Sequence, residues 1–225
     1  MDKLLRYNGV QEALKFLRED DERTLQEHLE MCQIPAPSYE EGEKAEYVRK
    51  KMVDAGLSEV HVDEVGNVLG TWKGTGNGPR IMVAGHTDTV FPRETDLTLK
   101  KEGERYSCPG IGDDTRAVAE LLSLARAMNA TGIRGEGDIV FCANVCEEGL
   151  GDLRGIKHVF KDMADTEGRY DGFVSIDDKK IEKILDDMSI EHGEDNTLVI
   201  RRILHQNGKS VCKVNGTTVT VGQLK

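Results

Sequence analysis

The sequence predicts an α/β fold: a mixed, mostly parallel sheet with helices on both faces, followed by a C-terminal β-meander. Three observations carry this. Apolar runs without polar alternation, above all Ile81-Met82-Val83-Ala84, have the character of strands buried on both faces. Between such runs lie stretches with helical apolar spacing, such as Val118, Leu121, Leu122, Ala125 and Met128. Beyond Asp178 the pattern changes to three β-like segments separated by Asn-Gly turns.

Taken in order, residues 11–31 place Ala13, Leu14, Leu17, Leu25 and Leu29 at helical spacings with acids between them, as on a solvated amphipathic helix. Ile34-Pro35-Ala36-Pro37 breaks it. Ser38 followed by Glu41 has the form of a capping box, and Ala45, Val48, Met52 and Ala55 continue a second helix until Gly56. Val60 and Val62 alternate with His61 and Asp63, and residues 68–72 form another strand. The loop Gly74-Thr75-Gly76-Asn77-Gly78 is glycine-rich like a phosphate cradle. A strand follows it rather than a helix, so it is expected to be a hairpin connection. A helix over 114–128, a strand over 139–145, a helix over 153–163 and a strand over 170–176 complete the alternation. After a charge-dense stretch at 179–195, strands are expected at 198–204, 210–214 and 217–221, with Asn207-Gly208 and Asn215-Gly216 as the turns. The expected division is a catalytic unit over 1–178 and an atypical tail over 179–225.

The 225 residues, 38% of them hydrophobic, suffice for one sizeable domain with a real core. Thirty Lys and Arg against 41 Asp and Glu give a formal charge of −11, which repels nucleic acid and anionic lipid and argues against either as a partner. Five cysteines form an odd set without a Cys-x-x-Cys pair, as expected in a reducing compartment. The first ten residues lack the apolar stretch of a secretion signal, and no apolar run approaches the roughly 18 residues that span a bilayer. A soluble, cytoplasmic protein is expected.

Four acidic clusters carry the chemistry, each at a strand end or helix start, where open α/β sheets bind ligands. His86-Thr87-Asp88 follows the strand at 81–84. Residues i and i+2 of an extended chain share a side, so Asp88 can orient the imidazole and leave its other nitrogen for a metal. Gly110-Ile111-Gly112-Asp113-Asp114 opens a helix. Asp114 has the place of a helix cap, and the two oxygens of Asp113 can bridge cations about 3.5–4 Å apart. Glu147-Glu148-Gly149 follows the strand at 139–145. Adjacent residues point to opposite sides of an extended chain, so a local turn helped by Gly149 and Gly151 is needed to bring both carboxylates into one cleft. One would bind metal and the other would move a proton. Ser175-Ile176-Asp177-Asp178 supplies a further carboxylate. Each cluster alone has an ordinary structural explanation; their order along one sheet is what points to a metal site.

The ordered set His86-Thr87-Asp88, Gly110 to Asp114, Glu147-Glu148 and Asp177 resembles the metal motifs of the peptidase T, glutamate carboxypeptidase and aminoacylase family of two-zinc hydrolases. The resemblance runs from about residue 11 to 178 and includes Ile34 to Pro37 and the turn Asp63 to Asn67. It implies metal ligation by His86, Asp113, Glu148 and Asp177, with Asp113 bridging two Zn²⁺ ions, for which Co²⁺ or Mn²⁺ can substitute. It further implies Glu147 as general base, Asp88 as the residue orienting His86, and a cis peptide between Asp113 and Asp114. The implied reaction is hydrolysis of an amide bond in a small peptide or N-acyl amino acid substrate by metal-activated water.

Family members insert a lid domain after the position of Asp177 and supply a late histidine ligand. Here the tail offers only His192 and His205, neither in the family's late-histidine context, so an incomplete, truncated catalytic domain is expected. The alternative is a catalytically silent metal-binding or partner-binding fragment. His28, His61 and His158 are expected on solvated helix or strand faces.

Overall fold

The computed structural model describes residues 2–161, 170–176, 198–204, 210–214 and 217–219. Asp177, Asp178, His192, His205 and the charge-dense stretch at 179–195 lie outside the described residues. In chain order the elements are α1 (Asp2–Leu5), α2 (Asn8–Glu19), α3 (Asp21–Cys32), α4 (Gly42–Asp54), β1 (Ser58–Val62), β2 (Val68–Trp72), β3 (Ile81–His86), β4 (Lys100–Glu102) and β5 (Arg105–Ser107). There follow α5 (Thr115–Thr131), β6 (Ile139–Asn144), a 3₁₀ turn (Gly149–Gly151), α6 (Arg154–Lys161), β7 (Gly172–Ser175), β8 (Leu198–Leu204), β9 (Ser210–Val214) and β10 (Thr217–Val219).

The main sheet is mixed, in the order β1-β2-β6-β3-β7-β8-β9-β10. Its parallel part is the centre: β3 runs parallel to both β6 and β7, and antiparallel strands flank this trio on either side. Central parallel strands need cover on both faces, and the alternation of side chains supplies it. Val83, Phe141 and Ala143 face a core built with Val48 and Met52 of α4 and Leu121, Leu122 and Ala125 of α5. Met82, Ala84, Val140 and Cys142 point the other way, onto Ile156 and Val159 of α6. The parallel register pairs Ile81 with Ile139 and His86 with Asn144, so the C-terminal ends of β3 and β6 are level. That alignment places the two acidic loops side by side.

The meander in the tail falls where the Asn-Gly turns predict it. β8 pairs antiparallel with β7 and β9, and β9 with β10, so these strands continue the same sheet. The Gly74 to Gly78 loop holds no phosphate cradle ahead of a helix, but the expected hairpin is corrected: β6 lies between β2 and β3, and the loop crosses its start, where the N–H groups of Thr75 and Gly76 donate to the carbonyls of Gly135 and Glu136.

Two further expectations are corrected, and one pair of strands is new. The single helix over 11–31 is two, α2 and α3, separated at Asp20. Asp20 is buried because its carboxylate accepts hydrogen bonds from Ser123 Oγ (2.9 Å) and from Arg126 Nε (2.9 Å) and Nη2 (2.6 Å) on α5. Arg126 also donates to Glu27 of α3, so one guanidinium ties the helical layer together. The capping box is absent. Helix α4 begins at Gly42 with no side-chain cap, because Ser38 and Glu41 serve buried groups near the sheet end. The hairpin of β4 and β5 is unforeseen; its residues are mostly exposed and polar, without the alternation that marks a strand. Among the described residues no helix is long and apolar enough to cross a membrane.

Arg126→Met removes the one buried guanidinium that Asp20 and Glu27 share. It is expected to destabilise the fold by about 3 kcal/mol or more, read from the midpoint of urea denaturation.

Candidate metal centre

His86 ends β3 and is buried, 3% exposed. Its backbone N–H donates to Asp114 Oδ2 at 3.1 Å. Nδ1 lies 3.0 Å from the Asp88 carbonyl oxygen, which can only accept, so Nδ1 carries a proton and the lone pair of the neutral ring belongs to Nε2. Nε2 lies 3.0 Å from Asp113 Oδ1 and 3.8 Å from Glu147 Oε2. Burial alone lowers an imidazole pKa; here the hydrogen bonds to Asp113 and Asp88 overcome it and push His86 up to about 11. The carboxylates around Nε2 thus attract a positive charge, and a divalent cation competes with the proton for the same lone pair.

The Glu147-Glu148 turn shows how adjacent acids come to share a cleft. Cys146 has a left-handed φ of 52°, which turns the chain as it leaves β6. The N–H groups of the next two residues both donate to one carboxylate: Glu147 N to Asp88 Oδ1 at 2.8 Å and Glu148 N to Asp88 Oδ2 at 3.1 Å. Asp88 also accepts from Ser38 Oγ at 2.6 Å and lies 3.5 Å from His86 Nδ1. Its burial opposes ionisation, but these donors outweigh that and hold its pKa below the usual carboxylate range. The sequence gives Asp88 the task of orienting His86. In the structure its backbone carbonyl makes the closer contact to the ring, and its carboxylate chiefly holds the glutamate turn.

Asp113 and Asp114 are joined by a cis peptide. The turn before them depends on Gly110, whose φ is 76° and where a Cβ would fall 2.7 Å from Thr89 Cγ2. Thr115 Oγ1 donates to the Gly110 carbonyl at 2.8 Å, and His28 Nε2 of α3 contacts the Ile111 carbonyl. Asp114 sits at the N-cap of α5 without a side-chain capping bond; its buried carboxylate holds the His86 N–H instead. The helix-cap reading is corrected accordingly.

Five of the sequence-predicted residues therefore converge: His86, Asp88, Asp113, Glu147 and Glu148. Ligand atoms of His86, Glu147 and Glu148 lie within 4.8 Å of one another, a group able to hold a metal ion. Asp177 lies outside the described residues. The chain can be followed to Ile176, whose N–H donates to the Ala84 carbonyl at 2.8 Å, beside the strand that carries His86. Sequence reasoning missed Ser38 and Glu41, which it took for helix caps, and Lys44, 1% exposed, whose pKa burial lowers to about 8 against the opposing pull of Cys32, Asp88, Cys108 and Glu41. It also placed His28 and His158 in solvent. His28 is half-buried against Ile111, and the His158 side chain is 12% exposed and 4.0 Å from Asp63.

An acidic, histidine-containing cluster at the C-terminal ends of parallel strands in a two-faced α/β sheet defines a class, the α/β proteins with a metal-ligand centre at the sheet end. Comparison with known proteins makes it specific: residues 82–201 match Peptidase family M20/M25/M40, and the chain belongs to that family. A protein of Pyrococcus abyssi named as a LysW-lysine/LysW-ornithine hydrolase is 30% identical over 139 residues, which is 62% of this chain and 34% of that protein. Succinyl-diaminopimelate desuccinylase of Corynebacterium glutamicum is 26% identical over 129 residues, 57% of this chain and 34% of that one. The chain thus spans about a third of the length of these curated relatives. The crystal structure of aminopeptidase PepT from Bacillus cereus superposes with a TM-score of 0.59 at 24% identity, over 70% of this chain and 43% of that one. The di-peptidase Dug1p of Saccharomyces cerevisiae gives 0.60 at 16% identity, over 75% and 41%. These two likenesses establish the fold.

Because His86 is held protonated well above neutrality without a cation, metal uptake must displace its proton. Affinity falls as pH falls, by about tenfold per unit below about 11 for one displaced proton. Titration calorimetry with Co²⁺ near pH 7.5, in buffers of different ionisation enthalpy, is expected to count about one proton released from this ring per site filled. A pH-independent affinity contradicts this.

Proposed function

We propose that this chain carries the metal-binding part of a hydrolase that cleaves an amide bond in short peptides or N-acyl amino acids. The observation that carries the reading is the convergence of His86, Glu147 and Glu148 within 4.8 Å, with Asp113 at 3.0 Å from His86 Nε2. The names of the curated relatives support the substrate class, one being a LysW-lysine/LysW-ornithine hydrolase and another a succinyl-diaminopimelate desuccinylase. Four buried cysteines present as thiols suit a cytoplasmic setting.

In this reading His86, Asp113, Glu148 and Asp177 would be the residues that hold two zinc ions, with Asp113 shared between them, and cobalt or manganese would serve as substitutes. When bound, such a pair supplies the charge that lowers the pKa of water and polarises an amide carbonyl. Glu147 moves the proton. Its carboxylate is partly exposed, and its backbone is fixed by Asp88, so it can accept a proton from the attacking water and return it to the leaving nitrogen. Water thus divides between the two products, its oxygen going to the new carboxylate and a proton to the amine. Asp88 and the carbonyl beside it keep the His86 lone pair facing the cluster.

The test is metal content and turnover on one preparation. About two equivalents of zinc or cobalt are expected, removed by chelator and lost in His86→Ala and Asp113→Ala. Glu147→Gln is expected to keep metal but lose about 10²–10⁴-fold in kcat on short peptides or acylated amino acids. Protein that takes up no zinc or cobalt and hydrolyses neither substrate class overturns the proposal; metal uptake without turnover overturns its catalytic half.

A further inference from the structure

The turn that presents Glu147 is held at three consecutive backbone donors, and the first is bound by a residue with no ligand or proton-transfer role above. Glu41 is 5% exposed, and its Oε1 accepts the Cys146 N–H at 3.0 Å and the Cys146 thiol at 3.3 Å. Cys146 is the point at which the chain leaves β6 through a φ of 52°. A non-glycine residue in that region is strained and persists only where its surroundings fix it. The next two donors, Glu147 N–H and Glu148 N–H, are fixed by Asp88.

Glu41 and Asp88 are two buried carboxylates that bind the same turn, and buried charge calls for a partner of opposite sign. Lys44, one turn along α4 from Glu41 and 1% exposed, interacts electrostatically with both Glu41 and Asp88. Ser38 completes the arrangement by joining Asp88 to the same stretch of chain. The segment from Ser38 to Lys44 is thereby packed behind the glutamate turn and touches it through hydrogen bonds to backbone.

We infer that Glu41 is a positioning residue: by binding the Cys146 N–H it sets the direction in which Glu147 leaves the sheet. Its catalytic consequence rests on the reading of Glu147 as the proton carrier; its structural consequence does not. A displacement of about 1 Å at a reacting group can cost on the order of 10²-fold in rate, so loss of Glu41 acts on kcat rather than on substrate binding.

The structural arm is amide hydrogen exchange at Cys146, measured by NMR on metal-free protein. Glu41→Ala is expected to speed exchange there by about tenfold or more, the equivalent of one hydrogen bond to a charged group. The catalytic arm is expected to show kcat reduced about 10- to 100-fold with KM little changed, and an altered visible spectrum of the cobalt-loaded protein. Glu41→Gln keeps one acceptor oxygen and is expected to restore both Cys146 protection and most of kcat. Unchanged exchange at Cys146 in folded Glu41→Ala overturns the inference. So does Glu41→Gln with protection intact but kcat as low as in Glu41→Ala, and that second comparison can be made against wild type if the alanine variant does not fold. If the wild type neither binds cobalt nor turns over, the functional reading fails, and exchange at Cys146 still decides whether Glu41 fixes the turn.

Discussion

The carboxylate of Asp88 joins parts of the chain that are far apart in sequence. Fully buried, it accepts the N–H groups of Glu147 and Glu148 and the hydroxyl of Ser38, and it lies beside the ring of His86. A buried carboxylate is tolerated only when its oxygens are well supplied with donors, so each donor is constrained by the need to satisfy it. The consequence is geometric. Two neighbouring glutamates, which an extended strand would send to opposite sides, both turn toward the imidazole at the end of the next strand.

The fold prepares this arrangement before any side-chain chemistry enters. Parallel pairing of β3 with β6 sets His86 level with Asn144, and the Thr87 N–H donates to the Asn144 carbonyl at 2.8 Å, so the ladder continues one step past the strands. Helix α5 delivers Asp113 and Asp114 from the facing layer. Asp114 is spent on the His86 backbone, which leaves Asp113 to reach the ring. Behind it, α3 is attached to α5 through Arg126 and to the glycine turn through His28. The centre is therefore supported from three elements, and its acids are ranked by their neighbours: some are saturated by backbone donors, while Asp113 and Glu147 keep partial exposure.

What was legible in the sequence follows from locality. Ile81 to Ala84 reads as a buried strand because its own residues say so, and the acids after each strand are visible as chemistry whatever the fold does with them. The order of the clusters along the chain carried the family resemblance, and the matched segment at 82–201 includes the first three of them and Asp177. Less legible were residues whose local pattern competes with a distant demand. Ser38 and Glu41 have the spacing of a capping box, but Asp88 and Cys146, 50 and 105 positions away, claim them. Asp20 looks like one more acid on a solvated helix face until Arg126, 106 positions on, is seen to bury it. Lys44 gives no local signal at all, since a lysine in a charged helix is ordinarily solvated.

The most direct measurement is anomalous diffraction at the zinc absorption edge from crystals grown with zinc. The expected result is a peak bonded to His86 Nε2 and the Glu148 carboxylate with Asp113 beside it, while the Glu147 and Glu148 N–H groups remain on Asp88. Zinc found only on scattered surface acids, or a glutamate turn released from Asp88, would contradict the convergence from which everything else follows.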